Sequence, residues 1–131
     1  MKGLDTNILA RYLRDDDAVQ SARAARLMQR AITEKQPLFI NNVVLCELTW
    51  ILTSVYDHTK DEIIKVIDSI LAAEYLELED RETVRSAFED YKRSKVDFAD
   101  CLIGTQNLAH GCESTLTFDR RLRSVRTFEV R

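Results

Sequence analysis

Short apolar runs alternate along the chain with longer stretches in which apolar residues recur every three or four positions. The short runs predict five strands, the first ending at Leu4 and the others covering residues 38–40, 76–78, 114–118 and 127–130. The longer stretches predict six helices, at residues 7–13, 18–35, 43–56, 60–73, 81–94 and 98–110. Asn42 is the expected N-cap of the third helix, and residues 119–122 are expected to form a turn. This alternation favours an α/β sandwich, a mostly parallel sheet of about five short strands flanked by helices.

Composition narrows the class of protein. The 131 residues fit one domain, residues 1–131, and the three glycines and one proline favour helices over a turn-rich β-sandwich. No apolar run reaches the roughly 18 residues of a membrane span, and the first residues do not resemble a signal peptide. The three cysteines are irregularly spaced, which fits neither a disulfide framework nor a zinc site. We therefore expect a protein of the reducing cytoplasm.

Glu47 is the most unusual charged residue in the sequence. It lies in the segment VVLCELTWIL, where eight of ten positions are apolar, so we expect its helix to be buried. A buried carboxylate costs several kcal/mol unless a positive group meets it. The sequence therefore favours a metal-site role for Glu47, with a salt bridge to an arginine, or a place at one wet edge, as the alternative.

Three other acids lie at the edges of predicted elements. Asp5 and Asp119 each follow a predicted strand, and in parallel sheets ligands bind at the carboxyl ends of strands. Asp97 and Asp100 share one face at the start of a helix. Each of these acids could instead simply cap a helix or turn, and for each alone capping is at least as good an explanation.

Taken together, the carboxylates indicate a cation site. Crowded carboxylates repel each other and stay ionised only with a cation between them. Ligation by oxygen alone selects Mg²⁺ or Mn²⁺, and such a site suits hydrolysis of a phosphodiester. Gly104, one turn after Asp100, indicates the close approach of another group to that helix.

The ordered set of motifs resembles the PIN domain, and more narrowly the VapC-type toxins of toxin–antitoxin pairs. The motifs are LDTN at residues 4–7, Glu47 in an apolar helix, DFAD at residues 97–100 and TFD at residues 117–119. The resemblance covers essentially the whole chain. It implies a three-layer sandwich with a central parallel sheet, and an endoribonuclease dependent on Mg²⁺ or Mn²⁺. It also implies a homodimer and inhibition by a small antitoxin of the VapB type.

The resemblance also assigns roles to individual residues. Asp5 and Asp100 match the principal metal ligands, Glu47 matches the acid of the third helix, and Asp119 matches the fourth acid. All four are therefore expected to be catalytic. The positions that match supporting residues of the site are Asp97, Thr6, Asn7 and Thr117. The sequence departs from the family pattern at Lys2 and Gly3 in the first strand and at Cys101.

The net charge of −3 does not predict a nucleic-acid partner. RNA affinity must then come from cations beside an acidic pocket. The candidates next to Asp119 are Arg120, Arg121 and Arg123, and the alternative is that these arginines are a solvated surface.

Two other functions remain open. One is a binding or scaffold domain with a PIN-like fold, in which the acids only cap helices and pair with arginines. The other is a 5′-nuclease-like enzyme that cleaves DNA, which the short chain makes less favourable.

Overall fold

The computed structural model describes residues 1–14 and 17–131. Six helices and five short strands are present in these ranges, and every strand pairing is parallel, which confirms the predicted α/β class. The strands are hydrogen-bonded as one sheet of three and one sheet of two. The chain forms two compact units, Met1–Glu79 and Asp80–Arg131. The assignment of residues 1–131 to one domain stays a prediction.

The first unit holds three strands and four helices. Its sheet has the order β1-β2-β3, with Lys2 paired to Leu38 and Leu38 to Leu76. Helix α1 packs against α2 and α3, and α3 also contacts α4. The elements are β1 (Lys2–Gly3), α1 (Thr6–Leu13), α2 (Ala18–Glu34), β2 (Leu38–Ile40), α3 (Asn42–Ser54), α4 (Lys60–Ala72) and β3 (Leu76–Leu78).

The second unit holds two helices, two strands and a short 3₁₀ helix. Helices α5 and α6 pack on each other, and strand β4 pairs with β5. The elements are α5 (Arg81–Arg93), α6 (Phe98–Ala109), β4 (Thr115–Thr117), the 3₁₀ helix (Arg120–Ser124) and β5 (Phe128–Val130).

Apolar side chains at helical spacing fill the interior of each unit, as the sequence pattern predicts. In the first unit, Leu9, Met28 and Ile40 are almost completely buried, so α1, α2 and β2 share one core. In the second unit, Val84 of α5 and Leu102 of α6 are buried to the same degree. Burial of each such side chain contributes about 1.5–3 kcal/mol, and this term offsets much of the entropy lost on ordering the helices.

Capping side chains set the starts of five of the six α-helices in the described residues, all except α6. The third helix is capped by Asn41, whose Oδ1 accepts a hydrogen bond from the Val44 backbone N–H at 2.8 Å. The prediction of Asn42 as this cap is wrong, because Asn42 is the first helical residue. Thr59 and Glu62 form a reciprocal capping box at the start of α4.

Two further features bear on the sequence predictions. The segment after β4, predicted as a turn, is a 3₁₀ helix one turn and a half long. In the ranges 1–14 and 17–131, no helix is both long and apolar enough to cross a membrane.

Candidate active site

Asp5 lies two residues after the end of β1 and is the N-cap of helix α1. The backbone N–H of Leu4 donates to the Phe39 carbonyl at 2.8 Å, which continues the pairing of β1 with β2 up to this residue. The Asp5 carboxylate caps α1, with Oδ1 accepting from the Thr6 N–H at 2.9 Å and Oδ2 from Asn7 Nδ2 at 3.5 Å. The Asp5 side chain is exposed and fixed by its two neighbours, so it lies at the carboxyl end of its strand as the sequence predicts.

Thr6 connects Asp5 to Glu47. The Thr6 side chain is buried, and its hydroxyl donates to Glu47 Oε2 at 3.3 Å. One threonine therefore supplies the backbone N–H that holds Asp5 and the hydroxyl that holds Glu47. Within the first unit, the structure brings together Asp5, Thr6, Asn7 and Glu47, as the sequence predicts.

The environment of Glu47 differs from the prediction. The side chain is exposed, so the expectation that an apolar helix buries it is wrong. Val43 and Trp50, four residues before and three after it, are also exposed, each at 64%. These three residues lie along one face of α3, because residues three and four apart are neighbours on a helix. Glu47 therefore needs no positive group to offset burial.

In the second unit, Asp100 shares its electrostatic environment with two other acids. Partial burial raises the pKa of the Asp100 carboxyl, and the negative charges of Asp97 and Asp119 raise this pKa further. Arg121 and a hydrogen bond from the backbone of Asp97 act in the opposite direction and are weaker. The carboxylates of Asp97 and Asp119 therefore each lie close enough to Asp100 to repel its negative charge.

Asp97 stands at the N-cap position of α6, but within the described chain its side chain makes no capping hydrogen bond. The alternative in which this carboxylate caps the helix is therefore not what the structure shows. Its charge contributes instead to the raised pKa of Asp100.

Residues on both sides of Asp119 form hydrogen bonds with it. Its backbone N–H donates to Thr117 Oγ1 at 3.0 Å, and its Oδ1 accepts from the Arg121 N–H at 2.9 Å, which caps the 3₁₀ helix. The Arg121 guanidinium also binds both carboxylate oxygens, with Nη2 to Oδ2 at 2.7 Å and Nε to Oδ1 at 3.1 Å. These hydrogen bonds hold the pKa of Asp119 below its ordinary value. Thr117 thus supports Asp119 as predicted, and Asp119 also caps an element as the alternative allowed.

The ion pair of Arg121 is the contact that sequence reasoning missed. The sequence predicts Arg121 only as a candidate RNA contact, together with Arg120 and Arg123, and all three are exposed. The hydrogen bonds to Asp119 raise the pKa of Arg121, and the negative charges of Asp119, Asp97 and Asp100 raise it further. One sequence feature could have indicated this pair: Asp119 and Arg121 are two residues apart at the start of the predicted turn. At this spacing the arginine side chain can reach back to the carboxylate.

The donor chemistry of these residues fits a hard divalent cation, although their present arrangement does not form a ligand group. Carboxylate oxygens are the ligands that Mg²⁺ and Mn²⁺ prefer. A bound cation would also offset the repulsion between the Asp100 carboxylate and its acidic neighbours. Within residues 1–14 and 17–131, no group of three or more His, Cys, Asp or Glu side chains is arranged to hold a metal ion. Before it could bind a metal ion, Asp119 would have to break its ion pair with the guanidinium of Arg121.

Comparison with known proteins bears directly on this geometry. The sequence profile of the PIN domain matches residues 3–127. The chain belongs to the PIN domain family. It is also 25% identical over 126 residues to a VapC ribonuclease of Aquifex aeolicus (strain VF5), an alignment that covers 95% of this chain and 92% of the relative.

The matched range spans the candidate acids of both units. The matched range of this PIN domain begins two residues before Asp5 and ends after Asp119, so it includes Glu47, Asp97 and Asp100 as well. The resemblance inferred from four short motifs is therefore confirmed at the level of the family. The catalytic and metal-binding roles of individual residues stay predictions.

Proposed function

We propose that this PIN domain is an endoribonuclease that depends on Mg²⁺ or Mn²⁺ and acts as the toxin of a type II toxin–antitoxin pair. The observation that carries the proposal is that Thr6 holds two of the acids together, with its backbone N–H bound to Asp5 at 2.9 Å and its hydroxyl to Glu47 at 3.3 Å. The negative charges of Asp97 and Asp119 beside Asp100 support it. Similarity to a VapC ribonuclease along nearly the whole of both chains supports RNA as the substrate.

The proposed metal ligands are Asp5 and Glu47 in the first unit and Asp100 and Asp119 in the second. A bound divalent cation supplies an electrophile for a phosphate and a water of lowered pKa. Thr6 fixes Asp5 through its backbone N–H and Glu47 through its hydroxyl, so it sets the spacing of two ligands. Thr117 and Asp97 support the second pair, by orienting Asp119 and by adding charge near Asp100.

Arg121 occupies the position where a cation would meet Asp119. Its guanidinium neutralises this carboxylate with two parallel hydrogen bonds, Nε to Oδ1 and Nη2 to Oδ2, a strong geometry for an exposed pair. With a metal on Asp119, the guanidinium of Arg121 would be free to bind the phosphates of the RNA. Arg120 and Arg123 add exposed positive charge on the same short 3₁₀ helix. Because the net charge is −3, binding of RNA should be weak and sensitive to salt.

The proposed protein partners are an antitoxin of the VapB type and a second copy of the chain. Val43 and Trp50 flank Glu47 on α3 and are both exposed, and exposed aromatic and apolar residues are typical of interfaces. A short reading frame for a DNA-binding antitoxin next to the gene, and co-purification of its product, would support the pair. Light scattering on the purified protein measures its oligomeric state and so tests the proposed second copy.

The test of the nuclease proposal is incubation of the protein with total RNA, with and without Mn²⁺. Asp5→Asn and Asp100→Asn should abolish cleavage and leave the thermal unfolding midpoint nearly unchanged. Asparagine is an effective N-cap, so Asp5→Asn keeps the hydrogen bond to Thr6 while it removes a ligand charge. The matched control is Asp68→Asn, an exposed acid on α4, which should cleave as the wild type does. RNA that stays intact under every condition would remove the proposal.

A binding or scaffold domain is the second candidate, because two of the four acids do cap elements. Asp5 caps α1 and Asp119 caps the 3₁₀ helix. Under this hypothesis the purified protein binds no Mn²⁺ in calorimetry, and Asp100→Asn changes nothing but stability. Single-stranded and duplex DNA included beside the RNA test the third hypothesis, a DNA-cleaving enzyme.

A further inference from the structure

Phe118 is almost fully exposed, although burial of a phenylalanine is worth about 1.5–3 kcal/mol. Its exposed fraction is 88%, the highest of any large apolar residue in the described ranges. A single exposed apolar residue is ordinary on a protein surface. Phe118 differs because it lies in the TFD motif, directly between Thr117 and the proposed metal ligand Asp119.

The backbone on both sides of Phe118 is fixed. Before it, the Thr117 carbonyl accepts from the Arg131 N–H at 3.0 Å. After it, the Asp119 N–H is bound to Thr117 Oγ1 and the Asp119 carboxylate to Arg121. The exposed ring is therefore attached to an ordered backbone. Stacking of a ligand on the ring would cost little conformational entropy, because this backbone is already ordered before binding.

The charged surroundings of Phe118 decide which ligand suits it. Asp119 and Arg120 follow it in the chain, and Arg121 and Arg123 come next, so three arginines lie within five residues of the ring along the chain. A protein partner buries a continuous apolar core with a polar rim. A base of single-stranded RNA needs one aromatic face, and its phosphates need cations close by.

We propose that Phe118 stacks on a base of the bound RNA strand, next to the phosphodiester that the acids are proposed to cleave. This inference rests on the proposed nuclease function and adds a contact to it. Phe118 is a binding residue that holds one nucleotide, and the arginines of the 3₁₀ helix hold its phosphates. Stacking tolerates any base, because every base has an aromatic face, but it requires an unpaired one.

The test compares replacements of Phe118 that keep or remove the aromatic ring. Phe118→Ala and Phe118→Leu should each raise KM for a single-stranded RNA roughly tenfold. Phe118→Tyr and Phe118→Trp should stay close to the wild type. Leucine keeps an exposed apolar side chain without a ring, so it separates base stacking from general apolar contact. Leu116→Ala is the matched control, because Leu116 is also exposed in β4, at 63%, and it should leave KM unchanged.

The dissociation constant of a fluorescent single-stranded RNA, measured by anisotropy in the Asp100→Asn background, tests the same contact without cleavage. If Phe118→Leu binds and cleaves as the wild type does, the stacking proposal is wrong even though the nuclease proposal stands. A wild-type protein that binds the RNA tenfold tighter than Phe118→Ala but never cleaves it would remove the nuclease proposal and keep this contact. If Phe118→Ala instead changes the oligomeric state measured by light scattering and leaves RNA binding intact, the ring belongs to a protein interface and the stacking proposal is refuted.

Discussion

Thr127 packs against the backbone of Gly104 so closely that no β-carbon fits between α6 and the start of β5. A β-carbon added at Gly104 would lie 2.9 Å from Thr127 Cβ and 2.8 Å from Phe128 Cε2. Thr127 is completely buried, so moving it aside would disturb the packing around it. The glycine therefore brings the last strand of the second unit onto the helix that carries Asp100.

Gly104→Ala should lower the free energy of unfolding by about 1–2 kcal/mol, since overpacking at Thr127 outweighs the gain in helix propensity. Urea denaturation measures this change. The control is Gly3→Ala, where an added β-carbon meets only the Phe39 carbonyl at an ordinary 3.8 Å, and stability should change little. An increase in the stability of Gly104→Ala would show that helix propensity dominates and that the packing argument is wrong.

Asp80→Ala should weaken the start of α5 at neutral pH and matter less in acid. The Asp80 carboxylate accepts from the Thr83 hydroxyl at 2.6 Å and from the Thr83 N–H at 3.1 Å, and these bonds hold the pKa of Asp80 below its ordinary value. A carboxyl whose folded pKa is lowered stabilises the fold above its unfolded pKa, and this stability is lost as the pH falls through the folded pKa. The cost of Asp80→Ala should be about 1 kcal/mol at pH 7, as for other N-caps.

Thermal unfolding of the wild type and Asp80→Ala across the acid range checks this dependence. The two curves should converge at a pH below the folded pKa of Asp80. Asp80→Asn keeps a capping side chain and should lose less stability at neutral pH. A difference between wild type and Asp80→Ala that stays constant at all pH values would contradict the assignment.

Arg121→Gln should lower the Mn²⁺ concentration needed for half-maximal cleavage by severalfold, because the guanidinium competes with a cation for Asp119. The same variant should bring the pKa of Asp119 up toward its ordinary value, since Arg121 is the main cause of its depression. Metal titration of activity and carbon NMR of the carboxyl groups measure the two effects. Arg85→Gln is the control, because Arg85 is an exposed arginine paired with Glu82 far along the sequence from these acids.

Because Asp90 is buried and paired with two arginines, replacing both arginines should cost more stability than the two single replacements added together. Arg93 Nη2 and Arg126 Nε both contact Asp90 Oδ1, at 3.1 and 3.3 Å, and the Asp90 side chain is only 5% exposed. Replacing either arginine with glutamine leaves the other as counter-charge. The double variant leaves a buried charge unpaired, so it should lose more stability than the two single variants combined, by on the order of 1 kcal/mol. Adding Asp90→Asn should recover part of that loss, and strictly additive losses would contradict the pairing.

Local patterns in the sequence predicted most of the secondary structure, because hydrophobic spacing and strong caps act over a few residues. The predicted helix ends lie within about two residues of those observed, the usual uncertainty in such boundaries. Gly104 indicated a close approach to its helix, and Thr127 is the residue that approaches. Asp5 and Asp119 each lie two residues after the end of a strand, at the strand ends where the sequence predicted them.

The errors concern properties that depend on tertiary packing. Composition alone made Glu47 appear buried, but burial depends on which face of α3 another element covers. Asn41 and Asn42 are chemically equal caps, so the choice between them depends on the backbone angles at the end of β2. The pairing of Arg121 with Asp119 arises from the path of the 3₁₀ helix, which the sequence presented only as a turn.

The parallel pairing of the three short strands in the first unit has a consequence for folding kinetics. Lys2 pairs with Leu38, and Leu38 with Leu76, so each pairing closes a loop that contains two helices. Such non-local contacts form late, because the entropy of loop closure must be lost before the pairing gains any energy. The ladder at β1 consists of only two residues, so the turn that holds Asp5 should be among the last parts of this unit to become ordered and among the first to exchange its amide protons.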